Sequence, residues 1–375
     1  MKILIAPDSF KDCLSASKVA TFLAKGIASV SHKTEIKTMP LSDGGEGFVD
    51  ALTTALGAEK VSCMLADPLL RPIQASYAIH HKSQTAIIEM AAASGLELLQ
   101  AAERNPLITS SYGTGQLMRD AINRGCRTLI IGIGGSATND GGSGMARALG
   151  YQFIDKNHLP LNDGGGALQQ LDAIIQSEMY PLLSTIRIRA ACDVNNPLTG
   201  PNGASVVYAP QKGASPDQVV LLDRNLQHLG AIILRDLKKD ITQVPGGGAA
   251  GGLGAGLVAF AGAELKPGFA LVKKLIHLED AVLAADLVIT GEGKIDDQSL
   301  NGKTPVEVAR LARKHNKQVI AVVGSTGKNH QLATKLFTAV YSLSAKTQSA
   351  AESIQDARRL LTEIGKEIGT TYCIE

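Results

Sequence analysis

The side chains best suited to chemistry in this chain stand in glycine-rich loops, and most of these loops follow a short aliphatic run. The first is Pro7-Asp8-Ser9-Phe10-Lys11-Asp12. Asp8 offers a carboxylate, Ser9 a hydroxyl and Lys11 an ammonium. In open α/β sheets, ligands bind beyond the carboxyl ends of the strands, which is where such a loop would lie. The same stretch also reads as a polar turn before a helix that starts at Ser15. The second loop, Ser42-Asp43-Gly44-Gly45-Glu46-Gly47, leads into a helix. Backbone N–H groups at a helix start suit an anion. Capping needs only one glycine, so two adjacent ones favour a ligand over a plain turn.

The densest loop runs from Gly132 to Gly144 and contains Gly134, Gly135, Ser136, Thr138, Asn139 and Asp140. Gly132-x-Gly134-x-x-Ala137 fits a dinucleotide fingerprint, with Asp155 near the place of a ribose-binding acid, but the fingerprint must open a helix directly. Asn139-Asp140-Gly141-Gly142 interrupts any helix here, so the composition points to a phosphate nest of backbone N–H groups instead. Cys192-Asp193-Val194-Asn195-Asn196 follows another strand. Asp193 is either a candidate base or part of an Asx turn. The uncharged Pro245–Gly256 stretch either lets backbones pack closely or lines a ligand. Finally, Gly291-Glu292-Gly293-Lys294-Ile295-Asp296-Asp297 ends a strand and is followed by Gly302-Lys303-Thr304. That tail looks like a Walker A loop, but Asp297 stands where the motif requires glycine, so it is not a P-loop. Glu292, Asp296 and Asp297 can hold Mg²⁺, which takes one or two carboxylates plus phosphate oxygens; the alternative is a solvated acidic turn.

The elements that must position these loops alternate in type. Strands are predicted at Lys2–Ala6, Glu35–Thr38, Ile73–Ile79, Thr85–Met90, Thr128–Ile133, Arg187–Ala191, Ala204–Tyr208, Leu287–Thr290, Gln318–Val323 and Thr338–Ser342. The 73–79 and 85–90 runs are expected to be antiparallel neighbours. Helices are predicted from Ser15 to His32, at Glu46–Leu56, Gly115–Arg124, Pro216–Lys238, Thr304–Lys314 and Gln331–Leu336, and from Gln348 to Ile368. Strand and helix alternating in this way produce a parallel sheet covered on both faces.

Composition narrows the function. The 375 residues suit two domains. Apolar residues are 45% and Trp is absent, so the cores rest on Ala, Val, Ile and Leu. A net charge of +2 with no basic cluster argues against nucleic-acid binding. The 5 cysteines form no CxxC pair and read as reduced thiols of a cytoplasmic protein. The opening apolar run is too short for a signal peptide. The glycine-rich apolar run Ala249–Ala263 is too short to span a bilayer. The 8 histidines show no zinc-ligand spacing.

Taken in order, the loops resemble those of type I glycerate kinases. The resemblance is carried by Asp8-Ser9-Phe10-Lys11, Ser42-Asp43-Gly44-Gly45-Glu46-Gly47, Glu89-Met90-Ala91 with Ser94-Gly95-Leu96, and Gly113-Thr114-Gly115. It continues through Gly134-Gly135-Ser136-Ala137-Thr138-Asn139-Asp140-Gly141-Gly142, Cys192-Asp193-Val194-Asn195-Asn196-Pro197-Leu198, Gly248-Ala249-Ala250-Gly251-Gly252, and Thr290-Gly291-Glu292-Gly293 with Asp296. It covers essentially the whole chain; Pro245-Gly246-Gly247-Gly248 is a small departure from the family's Pro-Gly-Ala-Gly.

The resemblance implies two α/β domains. A Rossmann-like parallel-sheet domain built from both chain ends (1–66 and 283–375) would be interrupted by an inserted α/β domain (67–282), with the active site in the cleft between them. It also implies ATP, Mg²⁺ and D-glycerate, with phosphorylation at the 2-hydroxyl expected over the 3-hydroxyl. A hydroxy-acid dehydrogenase using NAD is the reading of another class. For phosphoryl transfer, Asp193 is the expected base and Lys11 the residue that offsets charge. Asp8, Ser9, Ser42, Asp43, Gly44, Gly45 and Arg71 are candidates for substrate. Gly134, Gly135, Ser136, Thr138, Asn139, Gly291 and Lys303 are candidates for phosphate, and Glu292 and Asp296 for Mg²⁺. Monomer and homodimer both remain open.

Overall fold

The computed structural model describes residues 1–375 apart from Asp12, Asp43, Glu46, Asn301, Ile374 and Glu375 and the side chain of Gln298. The candidate Asp43 therefore lies outside the described residues. The chain forms two compact units. The first is Met1–Asp43, Asp50–Gly57 and Phe269–Glu375; the second is Gly44–Val49 and Ala58–Gly268.

The first unit carries a five-stranded sheet in the order 339–342, 318–326, 287–295, 2–5, 35–38, with every pair parallel. Its central strands are continuous apolar runs, Ile3-Leu4-Ile5, Leu287-Val288-Ile289 and Val319–Val323, as burial on both faces requires. On one face Leu23 and Ile27 of helix Ala16–Ala28 pack with Leu361, Ile364 and Ile368 of helix Ala357–Tyr372. Glycine lets these helices touch: a Cβ on Gly26 would stand 2.1 Å from the Thr362 carbonyl oxygen. Two strands run further than predicted, to Ile295 and Thr326, and so extend the platform beneath the acidic loop.

The second unit has a mixed six-stranded sheet in the order 264–266, 187–191, 128–132, 85–89, 72–80, 59–66. The first four are parallel, and the last two run antiparallel to their neighbours, including the expected 72–80 and 85–89 pair. Its core joins Ile88, Leu129, Ile131 and Ile188 to Leu226, Leu229 and Ile233 of the long helix Pro216–Leu237. That helix starts as its sequence predicts, with Ser215 and Gln218 in a reciprocal capping box and Pro216 in the first turn.

Several expectations need correction. Glu59–Ala66 is a strand of the second sheet, although the sequence boundary placed it in the first domain. Apart from the short piece 44–49, the units change over between Gly57 and Ala58 and between Gly268 and Phe269, where the sequence put the junctions near Asp67 and Val282. Ala204–Tyr208 is helical, because Val207 N bonds back to Gly203 O while Val206 and Val207 face solvent; local hydrogen bonding wins over β-branched propensity. The last helical stretch is two helices, broken at Asp356.

Candidate functional site

In the first unit, the acids gather at the carboxyl ends of the parallel strands. Asp8 follows the first strand, and its N–H donates to Gly291 O at 2.8 Å. Its carboxylate accepts the Ser9 N–H and the Thr304 hydroxyl, each at 2.6 Å. Residues 39–41 run beside 5–7, with Met39 N bonded to Ile5 O and Leu41 N to Pro7 O, both at 2.8 Å. This brings buried Ser42 to the start of the same loop region. Lys11 is exposed, and its backbone lies against Gly293, where a Cβ would be 3.3 Å from Lys11 N. Gly291 has a stricter reason to lack a side chain, because a Cβ there would stand 1.9 Å from Val322 O on the neighbouring strand.

Ser299 joins the two metal candidates. Its hydroxyl lies 3.1 Å from Glu292 Oε1 and 3.5 Å from Asp296 Oδ1. Lys303 Nζ is 3.5 Å from Glu292 Oε2, and Lys294 Nζ is 3.4 Å from Asp296 Oδ2. Burial pushes the Glu292 carboxyl above its ordinary range, helped by the Asp296 charge and opposed by Lys303 and Ser299. Burial also pushes Asp296 up, but Lys294, Lys303 and the Ser299 backbone N–H outweigh it and hold Asp296 below its usual value. One cluster thus pushes two carboxylates in opposite directions, a common mark of functional sites. Among the described residues, no three His, Cys, Asp or Glu side chains gather as metal ligands. Two neighbouring carboxylates nonetheless fit a cation that takes its remaining ligands from phosphate and water.

In the second unit, the Gly132–Gly144 loop is built on backbone contacts. A Cβ on Gly132 would meet Gly44 O at 2.6 Å, and one on Gly134 would meet Gly45 Cα at 3.1 Å. Gly134 N donates to Gly44 O at 3.4 Å. The absence of Cβ atoms at Gly132 and Gly134 therefore lets this loop lie backbone to backbone with Gly44 and Gly45. Gly135 takes a positive φ of 74°, and its carbonyl accepts Leu96 N at 2.8 Å. The next helix opens only at Ser143, so the dinucleotide fingerprint has no helix to open.

Two residues to which the sequence assigned no role hold this loop. Asp140 is fully buried, and its carboxylate accepts from Ser111 N, Ser111 Oγ, Gly142 N and Gly144 N. Burial pushes its carboxyl up and those four donors pull it back. Lys212 is also buried; it donates to Ser136 Oγ at 2.6 Å and to Thr138 O at 2.7 Å. Burial lowers the Lys212 amine to about 7, while the Asp140 charge raises it. Asn139 Nδ2 donates to Ser205 Oγ at 2.9 Å. In sequence, Lys212 between Gln211 and Gly213 looks like any surface lysine; only the fold reveals its partners.

Asp193 is exposed after the Arg187–Ala191 strand, and its Oδ1 accepts Gly268 N at 2.9 Å. Arg71 has its guanidinium on the protein's own acids, with Nε on Asp67 Oδ2 at 2.6 Å and an NH1 bond to Glu103 at 2.5 Å. Both acids lie in the same unit, so Arg71 reads as structural rather than as a carboxylate receptor. The 245–256 stretch resolves to close packing: a Cβ on Gly251 would stand 1.9 Å from Thr138 O, and one on Gly256 2.4 Å from Gly141 O.

Acids and lysines at the ends of one parallel sheet, and a glycine-rich loop bonded to a buried lysine on the other, fit an α/β phosphotransferase. The chain matches the profile of the Glycerate kinase family over residues 3–373. It is 45% identical to the Glycerate 2-kinase of Escherichia coli (strain K12), covering 100% of this chain and 98% of that protein. It is 43% identical to the Glycerate kinase of Halalkalibacterium halodurans, with 98% and 97% covered. A solved structure from Salmonella typhimurium LT2, named as a candidate glycerate kinase 2, superposes with a TM-score of 0.89 at 42% identity, covering 99% of this chain and 98% of that one. The chain belongs to the glycerate kinase family. It is a kinase that phosphorylates an alcohol, and the dehydrogenase reading falls with that membership.

Proposed function

We propose that this protein transfers the γ-phosphoryl group of ATP to the 2-hydroxyl of D-glycerate, forming 2-phospho-D-glycerate and ADP in the cytoplasm. The observation that carries the proposal is the 45% identity, over the whole chain, to a protein named Glycerate 2-kinase. The Asp8–Thr304 group supports it chemically.

Phosphoryl transfer needs in-line placement, charge neutralisation and a positioned acceptor hydroxyl. Glu292 and Asp296 are assigned to Mg²⁺, whose chemistry is to offset charge on the phosphate oxygens. Ser299 orients both carboxylates. Lys11 and Lys303 add positive charge, and Asp8, Ser9 and Ser42 bind the substrate's polar end. The Gly134–Asn139 loop receives nucleotide phosphates. Asp193 accepts the proton of the attacking hydroxyl as its oxygen bonds to phosphorus, and ADP leaves with the P–O bond pair. Arg71 takes no part. A coupled ADP-release assay with ATP and D-glycerate tests the activity, and phosphorus NMR of the product tests the position. No ADP release would refute the activity, and 3-phosphoglycerate would refute the regiochemistry.

A further inference from the structure

A buried ammonium normally meets a carboxylate, because an unpaired charge costs far more to bury than a neutral polar group. Lys212 departs from that rule. It is 1% exposed, yet its two hydrogen-bonded partners, the Ser136 hydroxyl and the Thr138 carbonyl, are neutral. The carboxylate whose charge reaches it is Asp140, and that carboxylate already accepts from four donors of its own loop region. The ammonium therefore brings positive charge to the loop beyond what its bonded partners answer.

The same loop holds a second, independent sign. Thr138 Oγ1 and Asn139 Oδ1 are buried and have no hydrogen-bond partner among the described residues. Buried polar groups are almost always paired, so two orphans on consecutive residues call for a ligand or a bound water. The loop also repeats backbone conformations that only glycine takes easily, at Gly135, Gly141 and Gly142. A hydroxyl and an amide oxygen left over, beside an unanswered cation, suit a phosphate and its bound water better than they suit a closed core.

We propose that Lys212 is a positioning residue for phosphoryl transfer: it holds the Gly134–Asp140 loop through Ser136 and Thr138 and supplies positive charge to a nucleotide phosphate bound on that loop. The proposal rests on the reading of this loop as the phosphate-binding element.

The test is steady-state kinetics of Lys212→Met and Ser136→Ala, varying ATP and D-glycerate separately. Lys212→Met should raise the KM for ATP by about tenfold or more, which corresponds to about 1.4 kcal/mol. Its KM for D-glycerate should stay within about twofold of wild type. Ser136→Ala leaves the charge and removes one anchor, so its KM for ATP should rise by a smaller factor, roughly threefold. A Lys212→Met enzyme with the wild-type KM for ATP would overturn the proposal. So would an equal rise in both KM values with a lower melting temperature, the pattern of a purely structural lysine. Should Lys212→Met not fold, an unchanged KM for ATP in Ser136→Ala overturns the proposal instead. If wild-type protein releases no ADP with D-glycerate, the proposed function fails. Calorimetric titration of ATP into wild type and both variants then decides the role of Lys212 by itself.

Discussion

Ser299 is the smallest group on which the acidic centre depends. It is neither acid nor base, yet its hydroxyl lies on both Glu292 and Asp296. Groups that orient metal ligands typically matter by 10–100-fold in metal affinity. Ser299→Ala should therefore shift the Mg²⁺ concentration for half-maximal rate upward by about that factor, with the fold intact. An unchanged Mg²⁺ titration would remove these two carboxylates from the metal assignment. Asp193→Asn should lower kcat by roughly 10²–10⁴-fold if Asp193 is the base; near-normal turnover in a folded variant would end that role. Lys212 carries a pH consequence. Its amine sits at about 7 when folded against 10.5 ordinarily. The unfolded chain therefore binds the extra proton between those values, and stability rises with pH across that window. The burial cost is complete below about pH 7 and fades toward pH 10.5. Melting temperatures of wild type and Lys212→Met, compared from pH 7 upward, should diverge in favour of wild type. Parallel curves would show that the amine is not so shifted.

Among the elements, glycine does two different jobs, and substitution separates them. Gly26 lets helix Ala16–Ala28 meet helix Ala357–Tyr372; an added Cβ would sit 2.1 Å from Thr362 O. Gly26→Ala should cost about 1–3 kcal/mol, as overpacking does, and leave both KM values alone. Gly251 has φ +67° and sits against Thr138 O in the proposed phosphate loop. Gly251→Ala should lower stability and also raise the KM for ATP, because backbone at Thr138 must move. Urea midpoints beside steady-state kinetics distinguish the two; equal kinetic effects would erase the distinction. The elements themselves were unevenly legible. The central strands of the first sheet showed as plain aliphatic runs. Strand Glu59–Ala66 had a period-two signal in Val61, Cys63 and Leu65, which face the core. Its outward Lys60, Ser62 and Met64, with the exposed Glu59 at its start, diluted the run, as expected of an edge strand.

For the whole molecule, the chain path has its own consequence. The second unit is nearly one continuous stretch, 58–268, joined by 44–49. Phe48, in that small piece, is fully buried, and its ring lies near the end of strand Thr128–Gly132. A fragment of residues 44–268 should fold cooperatively, read by circular dichroism and a sigmoidal urea transition; a featureless transition would mean that its core needs the rest of the chain. No helix among the described residues is long and apolar enough to cross a membrane.

The sequence by itself determined the α/β alternation, the loops that carry acid and glycine, and the exclusion of a P-loop at Lys303. These follow from local patterns of burial and from fixed motif spacing. Tertiary structure alone decided that Pro245–Gly256 is packing surface, that Arg71 is already answered by Asp67 and Glu103, and that Lys212 serves a loop 74–76 residues away in sequence. The reason is physical: a hydrogen bond or a backbone contact across such a separation leaves no periodicity in the residues between, so only the folded chain shows which groups meet.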